Sequence, residues 1–590
     1  MDFITGEDAV NHRRLTIPAA VVGCLGIALA PALAEASTAS ATTSTHSAAA
    51  VTAGSAKTVS AAFAKAVGYK SFSSSASHSV RAKSKSSASS ATSTGPNPDL
   101  ADAIQGGDTS AYGLELDLTI SGYTTTTTDG LSVTVDWGDG KTSTGTDTGV
   151  QPTYSHEYGA LGTYTITVTV SDGEGDTVTN VISGAQTAGS QYTPYGPVRI
   201  LDTRSGLGAA EAPVAADGTL PLQVTGAGTT GDKIPAGITA VVLNVTAVSP
   251  SAIGYLTVYG DEDSSGGALG NPGTSNINFV AGQTVPNLVV VPVGANGVVD
   301  IYNGSKGKTQ VLADVAGYFT GANTDKYVAV SPARILDTRN GIGTGGKVAK
   351  IPAKGSVTLN IAGADDGALP ASGISAVSLN LTAVDATSNG VITAYPSDQS
   401  LPVVSNLNYS PGHTIANMAI VPVDGTGQVT FYNNSSAPVD LLVDADGYYS
   451  GSTTAATASS YIVWPEPARI LDTRQPEQIL EGPVATGTKN AIPLAEYPYE
   501  TSEVFNATVV QGTGTGYLSL YPYNPNDPGA VPGTSNLNYT AGHTVPNLAI
   551  TSLGTVPDPN YSGAYDFGLY LGGSGTAQVI LDWFGEFQDQ

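Results

Sequence analysis

The chain has 590 residues, too many for one hydrophobic core, so it divides into several domains. Only 12% of residues are charged, Gly (71) and Pro (35) are abundant, Tyr (28) outnumbers Phe (10), and the formal net charge is −26. That balance offers no basic surface to displace counterions from nucleic acid or to dock on anionic lipid, and one cysteine, Cys24, excludes a disulfide framework.

In chain order, His12-Arg13-Arg14 and the apolar run that follows, 15–34, read as an export signal cleaved near residue 34 or 36, which makes residues 1–36 a signal peptide. "VVGC" at 21–24 loosely matches a lipoprotein box, and the run is long enough to span a bilayer if uncleaved. Lipidation at Cys24 and a retained anchor therefore stand as alternatives. Residues 37–100 are mostly Ala, Ser and Thr without apolar periodicity, the composition of a disordered tether.

At 101–187 the texture changes to strands: "LSVTVDWGDG" (131–140) runs into a tight turn, and "GTYTITVTVSDGEG" (162–175) alternates strictly. Trp137-Gly138-Asp139-Gly140, His156-Glu157-Tyr158, Gly162, Tyr164 and Ser171-Asp172-Gly173 together resemble a PKD (polycystic-kidney-disease-type) domain, at about 108–185. The resemblance implies an immunoglobulin-like β-sandwich without catalysis, serving as an extracellular spacer or interaction module, with Trp137 and Tyr164 in its core.

The remainder is a triplication. "RILDTR" starts at 199, 334 and 469, at an interval of 135 residues both times. "LNVTAV", "LNLTAV" and "FNATVV" follow at Asn244, Asn380 and Asn506, then "SNINF" at 275 and "SNLNY" at 405 and 535. "GQTVPNL", "GHTIANM" and "GHTVPNL" come next, and an Asp/Gly/aromatic block ends each copy at 314, 444 and 582. Units of this size exceed solenoid repeats and hold cores of their own, which predicts sibling domains at 190–323, 324–457 and 458–590. In the first copy, turn residues separate strands expected near 198–203, 219–224, 238–247, 254–260, 274–279, 285–293, 297–303 and 309–319. The fold class is thus all-β: a PKD-like sandwich followed by three tandem antiparallel β-sandwich repeats, with the jelly roll as the form that eight strands suggest. The copies also resemble the tandem RILDTR-type repeats of secreted actinobacterial proteins, which implies export and no defined activity.

Candidate sites lie in the repeated blocks. In an extended hexapeptide Asp202 and Arg204 share a side, as do Asp337 with Arg339 and Asp472 with Arg474; a structural ion pair fixing strand register is expected, with a polar pocket for a glycan or carboxylate as the competitor. Asn276 with Asn278, Asn406 with Asn408 and Asn536 with Asn538 are expected on one face each, offering donors and acceptors to sugar hydroxyls or to loop backbone. Tyr302-Asn303 recurs as Tyr432-Asn433, whereas the third copy has Tyr570-Leu571 at about that place, so a site built on this pair is altered there. Asn244, Asn380 and Asn506 open Asn-x-Thr triplets and read as outward strand positions. No catalytic set is evident: His413 and His543 correspond to Gln283 in the first copy, no histidines lie at metal-ligand spacing, and no Gly-x-Ser-x-Gly elbow occurs. No cofactor or metal is expected; calcium at Asp172/Glu174/Asp176 or Asp444/Asp446 competes with plain solvated acidic turns.

These readings converge on a secreted or cell-surface, monomeric, non-catalytic protein that binds extracellular polysaccharide or a cell-envelope polymer. It has no nucleic-acid partner and no stable membrane insertion after signal cleavage. A ligand-free structural spacer and a carboxylate-dependent glycoside hydrolase are the alternatives.

Overall fold

The computed structural model describes residues 71–78 and 100–589, apart from 122–130, 148–151, 172–176, 264–265, 322–324, 453–457, 477, 496–498 and 560–563. The leader, Cys24 and the Asp172/Glu174/Asp176 cluster lie outside the described residues. Among those described, strands dominate, with a short helical turn at Asp365–Gly367, and no helix is long and apolar enough to cross a membrane.

The first domain is a two-sheet sandwich. Ala101–Asp108, Gly113–Ser121 and Thr153–Glu157 build one sheet; Leu131–Asp136, Thr142–Asp147, Thr163–Ser171 and Thr177–Gln186 build the other. Alternation sends Leu131, Val133, Val135, Ile166, Val168 and Val170 inward against Trp137. The segment expected to be wholly a tether contributes here: Ser71–Ser73 and Ser77–His78 pair with Ala101–Asp108. Phe72 gives that polar segment an apolar foothold on the core, and pairing covers an otherwise open sheet edge.

Each later copy is a pair of four-stranded sheets. In the first, the strands are β1 (Gln191–Asp202), β2 (Thr219–Gln223), β3 (Ala240–Val248), β4 (Gly254–Gly260), β5 (Ile277–Phe279), β6 (Thr284–Pro292), β7 (Val298–Asn303) and β8 (Gln310–Thr320). Their order is β1-β8-β3-β6 in one sheet and β2-β7-β4-β5 in the other, all antiparallel, which is the jelly-roll arrangement. The second and third copies repeat it. Val, Leu and Ile from facing sheets fill each interior, for example Leu243, Val245, Val258, Ile277, Val291 and Ile301.

The three jelly rolls are not beads on a string. Their β1-β8-β3-β6 sheets turn toward one another and close a ring about a pseudo-threefold axis, burying Val242, Leu288 and Val290 of the first copy with Ala376, Met418 and Ile420 of the second and Val504, Leu548 and Ile550 of the third. A fully buried side chain of this kind contributes about 1.5–3 kcal/mol. At one end of the axis six rings pack in cyclic order: Tyr192 stacks on Tyr449 (4.2 Å between centroids), and Tyr327 and Tyr461 lie tilted against Phe587 (4.4 Å) and Phe319 (4.6 Å). The backbone repeats the cycle, with the amides of Tyr192, Tyr327 and Tyr461 donating to the carbonyls of Asp325, Ser459 and Ser190 at 3.0, 2.9 and 2.8 Å.

The PKD-like sandwich caps this aromatic end. The Ala111 amide donates to Gln588 Oε1 (2.8 Å), the Tyr112 hydroxyl meets Ser460 Oγ (2.7 Å), and Ala111 and Tyr112 pack on Ile462.

Candidate functional site

The hexapeptides carry two forks each. Arg204 donates to both carboxylate oxygens of Asp202 (2.9 and 2.7 Å), as do Arg339 to Asp337 and Arg474 to Asp472. The leading arginine was the less conspicuous one in sequence. Arg199, Arg334 and Arg469 each grip the aspartate of their copy's last strand, Asp314, Asp444 and Asp582, through Nε at 2.7, 2.8 and 2.7 Å. Arg204 and Arg339 hydrogen bonds hold Asp202 and Asp337 below the usual carboxylate range; at Asp472 burial opposes the shift and Arg474 overcomes it. Asp314, Asp444 and Asp582 lie deeper, and burial raises them despite their arginines. A cavity of about 520 Å³ opens beside Arg334, Ile335, Gly343 and Asp365, yet the Arg334 guanidinium at its wall is already bound to Asp444.

The Asn-rich blocks interlock between copies. Asn244 donates to the Ser405 carbonyl of the second copy, Asn380 to Ser535 of the third, and Asn506 to Ser275 of the first. Asn417, Asn547 and Asn287 return the bond to Asn244, Asn380 and Asn506 at 3.1, 3.0 and 2.9 Å. The positions expected to face outward do leave their own sandwich, but they enter a neighbour and are 1–3% exposed.

The paired amides do not share a face. Asn276, Asn406 and Asn536 sit just ahead of their strands, buried, with Oδ1 accepting the amides of Val258, Ala394 and Leu520. Asn278, Asn408 and Asn538 are half-buried on the outward β2-β7-β4-β5 sheets. Asn278 lies directly opposite Tyr255 and Asn538 opposite Tyr517, while Asn408 faces Val391. Tyr302 lies opposite Thr257, Tyr432 opposite Thr393 and Tyr570 opposite Ser519, so register makes Tyr570 the third copy's counterpart of Tyr302 and Tyr432. Only the following amide is lost there, as Leu571. Because successive same-face residues are two apart, each copy presents a half-buried tyrosine strip: Tyr255 and Tyr302 with centroids 6.3 Å apart, Tyr395 and Tyr432, and Tyr517 and Tyr570 at 6.0 Å. Rings with an apolar face and a polar edge, beside amides, suit the flat faces and hydroxyls of sugars.

Other expected sites resolve differently. Asp444 and Asp446 lie within the strand Asp440–Ser450, not on a turn; Asp444 is held by Arg334, and Asp446 is buried, with its carboxyl raised by burial. The third copy buries a carboxyl pair, Glu503 directly across from Glu586, where the first copy has Val241 and Tyr318 and the second Val377 and Tyr448. Burial pushes Glu586 to about 7 and Glu503 well above its usual range, and both side chains are sealed from solvent, Glu503 0% and Glu586 5% exposed. Among the described residues no three His, Cys, Asp or Glu side chains gather as metal ligands. In the first domain Trp137 is fully buried, His156 stacks on it and bonds Asp139 (2.9 Å), and the Tyr158 hydroxyl donates to the Trp137 carbonyl (2.9 Å). Tyr164 is half-buried, stacked on Tyr158 with its hydroxyl on the Ala160 carbonyl.

No curated protein matches the chain. A chain from the atomic structure of Sulfolobus turreted icosahedral virus is 10% identical, with 70% of this chain and 87% of that one covered and a TM-score of 0.14, a likeness that carries no argument. The family model described as PKD domain matches residues 97–183, the first sandwich with its Trp137, His156 and Tyr158 cluster; a non-catalytic module of that family on an otherwise all-β chain fits a surface or adhesion protein.

Proposed function

We propose that the protein is a secreted, non-catalytic adhesion molecule whose three jelly rolls grip extracellular polysaccharide through their outward tyrosine strips. The observation that carries this reading is the recurrence, on all three outer sheets, of a half-buried tyrosine at one register position, Tyr302, Tyr432 and Tyr570. Each stands beside a second half-buried tyrosine, which comes from a different position in the second copy (Tyr395) than in the first and third (Tyr255 and Tyr517). Three weak sites spread around one rigid ring act together through effective concentration when the ligand is a polymer. The test is retention of the full chain on insoluble wall and plant polysaccharides, compared with Tyr302→Ala, Tyr432→Ala and Tyr570→Ala combined. Loss of retention with an unchanged melting temperature supports the reading; folded wild-type protein that no polymer retains removes it.

A ligand-free spacer is the second reading, favoured by one observation: the Arg–Asp forks are spent within each jelly roll and the Asn locks between jelly rolls. It predicts that the same three tyrosine substitutions change nothing measurable.

A further inference from the structure

At the end of the axis away from the PKD domain, each copy turns from β5 into β6, or their counterparts, through a four-residue turn. The amides of Gln283, His413 and His543 donate to the carbonyls of Val280, Ser410 and Thr540 (3.2, 3.4 and 3.1 Å). Gly282, Gly412 and Gly542 hold the third turn position at φ of 77°, 73° and 76°, as a type II turn demands. Four residues further on come the axial asparagines Asn287, Asn417 and Asn547, so the three turns are gathered by the same locks that close the ring. His413 and His543, which are 130 positions apart in sequence, are thereby brought to 6.1 Å between ring centroids, and both are solvent-exposed.

We propose that His413 and His543 form a binding site for one divalent transition-metal cation, bridging the second and third jelly rolls at the distal mouth of the axis. A metal–nitrogen bond of about 2.0–2.1 Å, added to the radius of an imidazole, places two rings that share a cation roughly 4.5–5.5 Å apart at cis or tetrahedral angles; the observed 6.1 Å is within about 1 Å of that range, a gap that rotation of the two exposed side chains closes. Both rings reach solvent, so a cation enters without unfolding, and side-chain rotation on the turns tunes the approach. Imidazole donors select copper, nickel or zinc over calcium or magnesium, which need oxygen ligands. Two protein nitrogens leave the remaining positions to water, and affinity is accordingly modest. Gln283 holds the third symmetric position with its Oε1 accepting the Val280 amide (3.1 Å); this copy alone lacks the imidazole, so the ring of donors is complete but for one residue.

The experiment is titration of the full chain with copper(II) chloride and zinc(II) chloride, followed calorimetrically and, for copper, by nitrogen hyperfine structure in its paramagnetic resonance spectrum. One site with two nitrogen ligands is expected, weakened at least tenfold in His413→Ala and in His543→Ala, both of which keep the wild-type melting temperature because the side chains are exposed. Gln283→His tightens the site at least tenfold and adds a third nitrogen. Binding of unchanged affinity and stoichiometry in both alanine variants overturns the proposal, as does a Gln283→His variant indistinguishable from wild type.

Discussion

Arg334 and Arg339 sit five residues apart in one hexapeptide and face different fates. Both neutralise a carboxylate that is 1% exposed, Arg334 with its own side chain 22% exposed and Arg339 38%. Asp337 also accepts from the Arg339 amide (2.9 Å) and from Asn340 (3.1 Å), bonds that survive loss of the Arg339 side chain. Removing one partner of a buried pair leaves an uncompensated charge, at a cost of about 3–5 kcal/mol, and hydrogen bonds that the remaining carboxylate keeps reduce that cost. Urea denaturation is therefore expected to show both Arg334→Ala and Arg339→Ala destabilised, with Arg334→Ala the costlier. The buried carboxyls set the pH response. Glu586 keeps its proton to about 7, Asp102 to about 6 and Asp566 to about 8, in each case because burial disfavours the ion. The unfolded chain releases those protons near the ordinary carboxyl range, so between about pH 4.5 and 8 the folded state binds more protons and stability falls as pH rises. Melting temperature should therefore decline across that window. Replacing the pair by its siblings' residues, Glu503→Val with Glu586→Tyr, should flatten the part of the slope below about pH 7.

At the scale of single strands, the last strand of each jelly roll shows why a repeated glycine matters. Tyr192, Tyr327 and Tyr461 lie flat across Gly317, Gly447 and Gly585, donating to the carbonyls of Ala316, Asp446 and Phe584 at 2.8, 3.1 and 3.0 Å. A methyl group at Gly447 overlaps the Tyr327 hydroxyl. Gly447→Ala is expected to cost about 1–3 kcal/mol by overpacking, relieved in part by Tyr327→Phe in a double-mutant cycle read by thermal denaturation. Strand positions were largely legible because period-two alternation and Gly/Pro/Asn punctuation are local signals. The exceptions have identifiable causes: β1 begins at Gln191, seven residues earlier than expected, because its extra stretch pairs with Gly317–Thr320 of β8, and Tyr192 also bridges to Asp325 of the second copy. β5 shrinks to three residues because Asn276 spends its side chain on the Val258 amide.

For the whole molecule, the ring was illegible in sequence because its bonds join distant residues. Asn244 reaches Ser405 across 161 positions and Asn506 reaches Ser275 across 231. Nothing in a one-dimensional pattern distinguishes an asparagine facing water from one facing a sibling. The tyrosine strips were half legible, since Tyr302 and Tyr432 recur in sequence and Tyr570 stands at about the same place, while register fixes it as their counterpart and brings in Tyr255, Tyr395 and Tyr517. Closure has a thermodynamic corollary. Each copy carries both halves of the same head-to-tail contact, so cyclic closure at three satisfies every interface. Calorimetry of residues 190–590 should show one cooperative transition, not three. The isolated first copy, residues 190–323, exposes Tyr192, Leu288, Val290 and Phe319 and should assemble as a trimer in sedimentation analysis; a stable monomer contradicts the ring as the source of stability.

The cap on the aromatic end has a mechanical consequence. Ala111 and Tyr112 hold Gln588 and Ser460, the last and first strands of the third jelly roll, while the covalent chain continues from the cap into the first. A pull on the N-terminal side is thus shared at once between the opening and closing segments of the ring, and the seam between the first and third copies is clamped rather than peeled. Under tension the cap should detach first, as a small early rupture, before the ring yields in a single larger event.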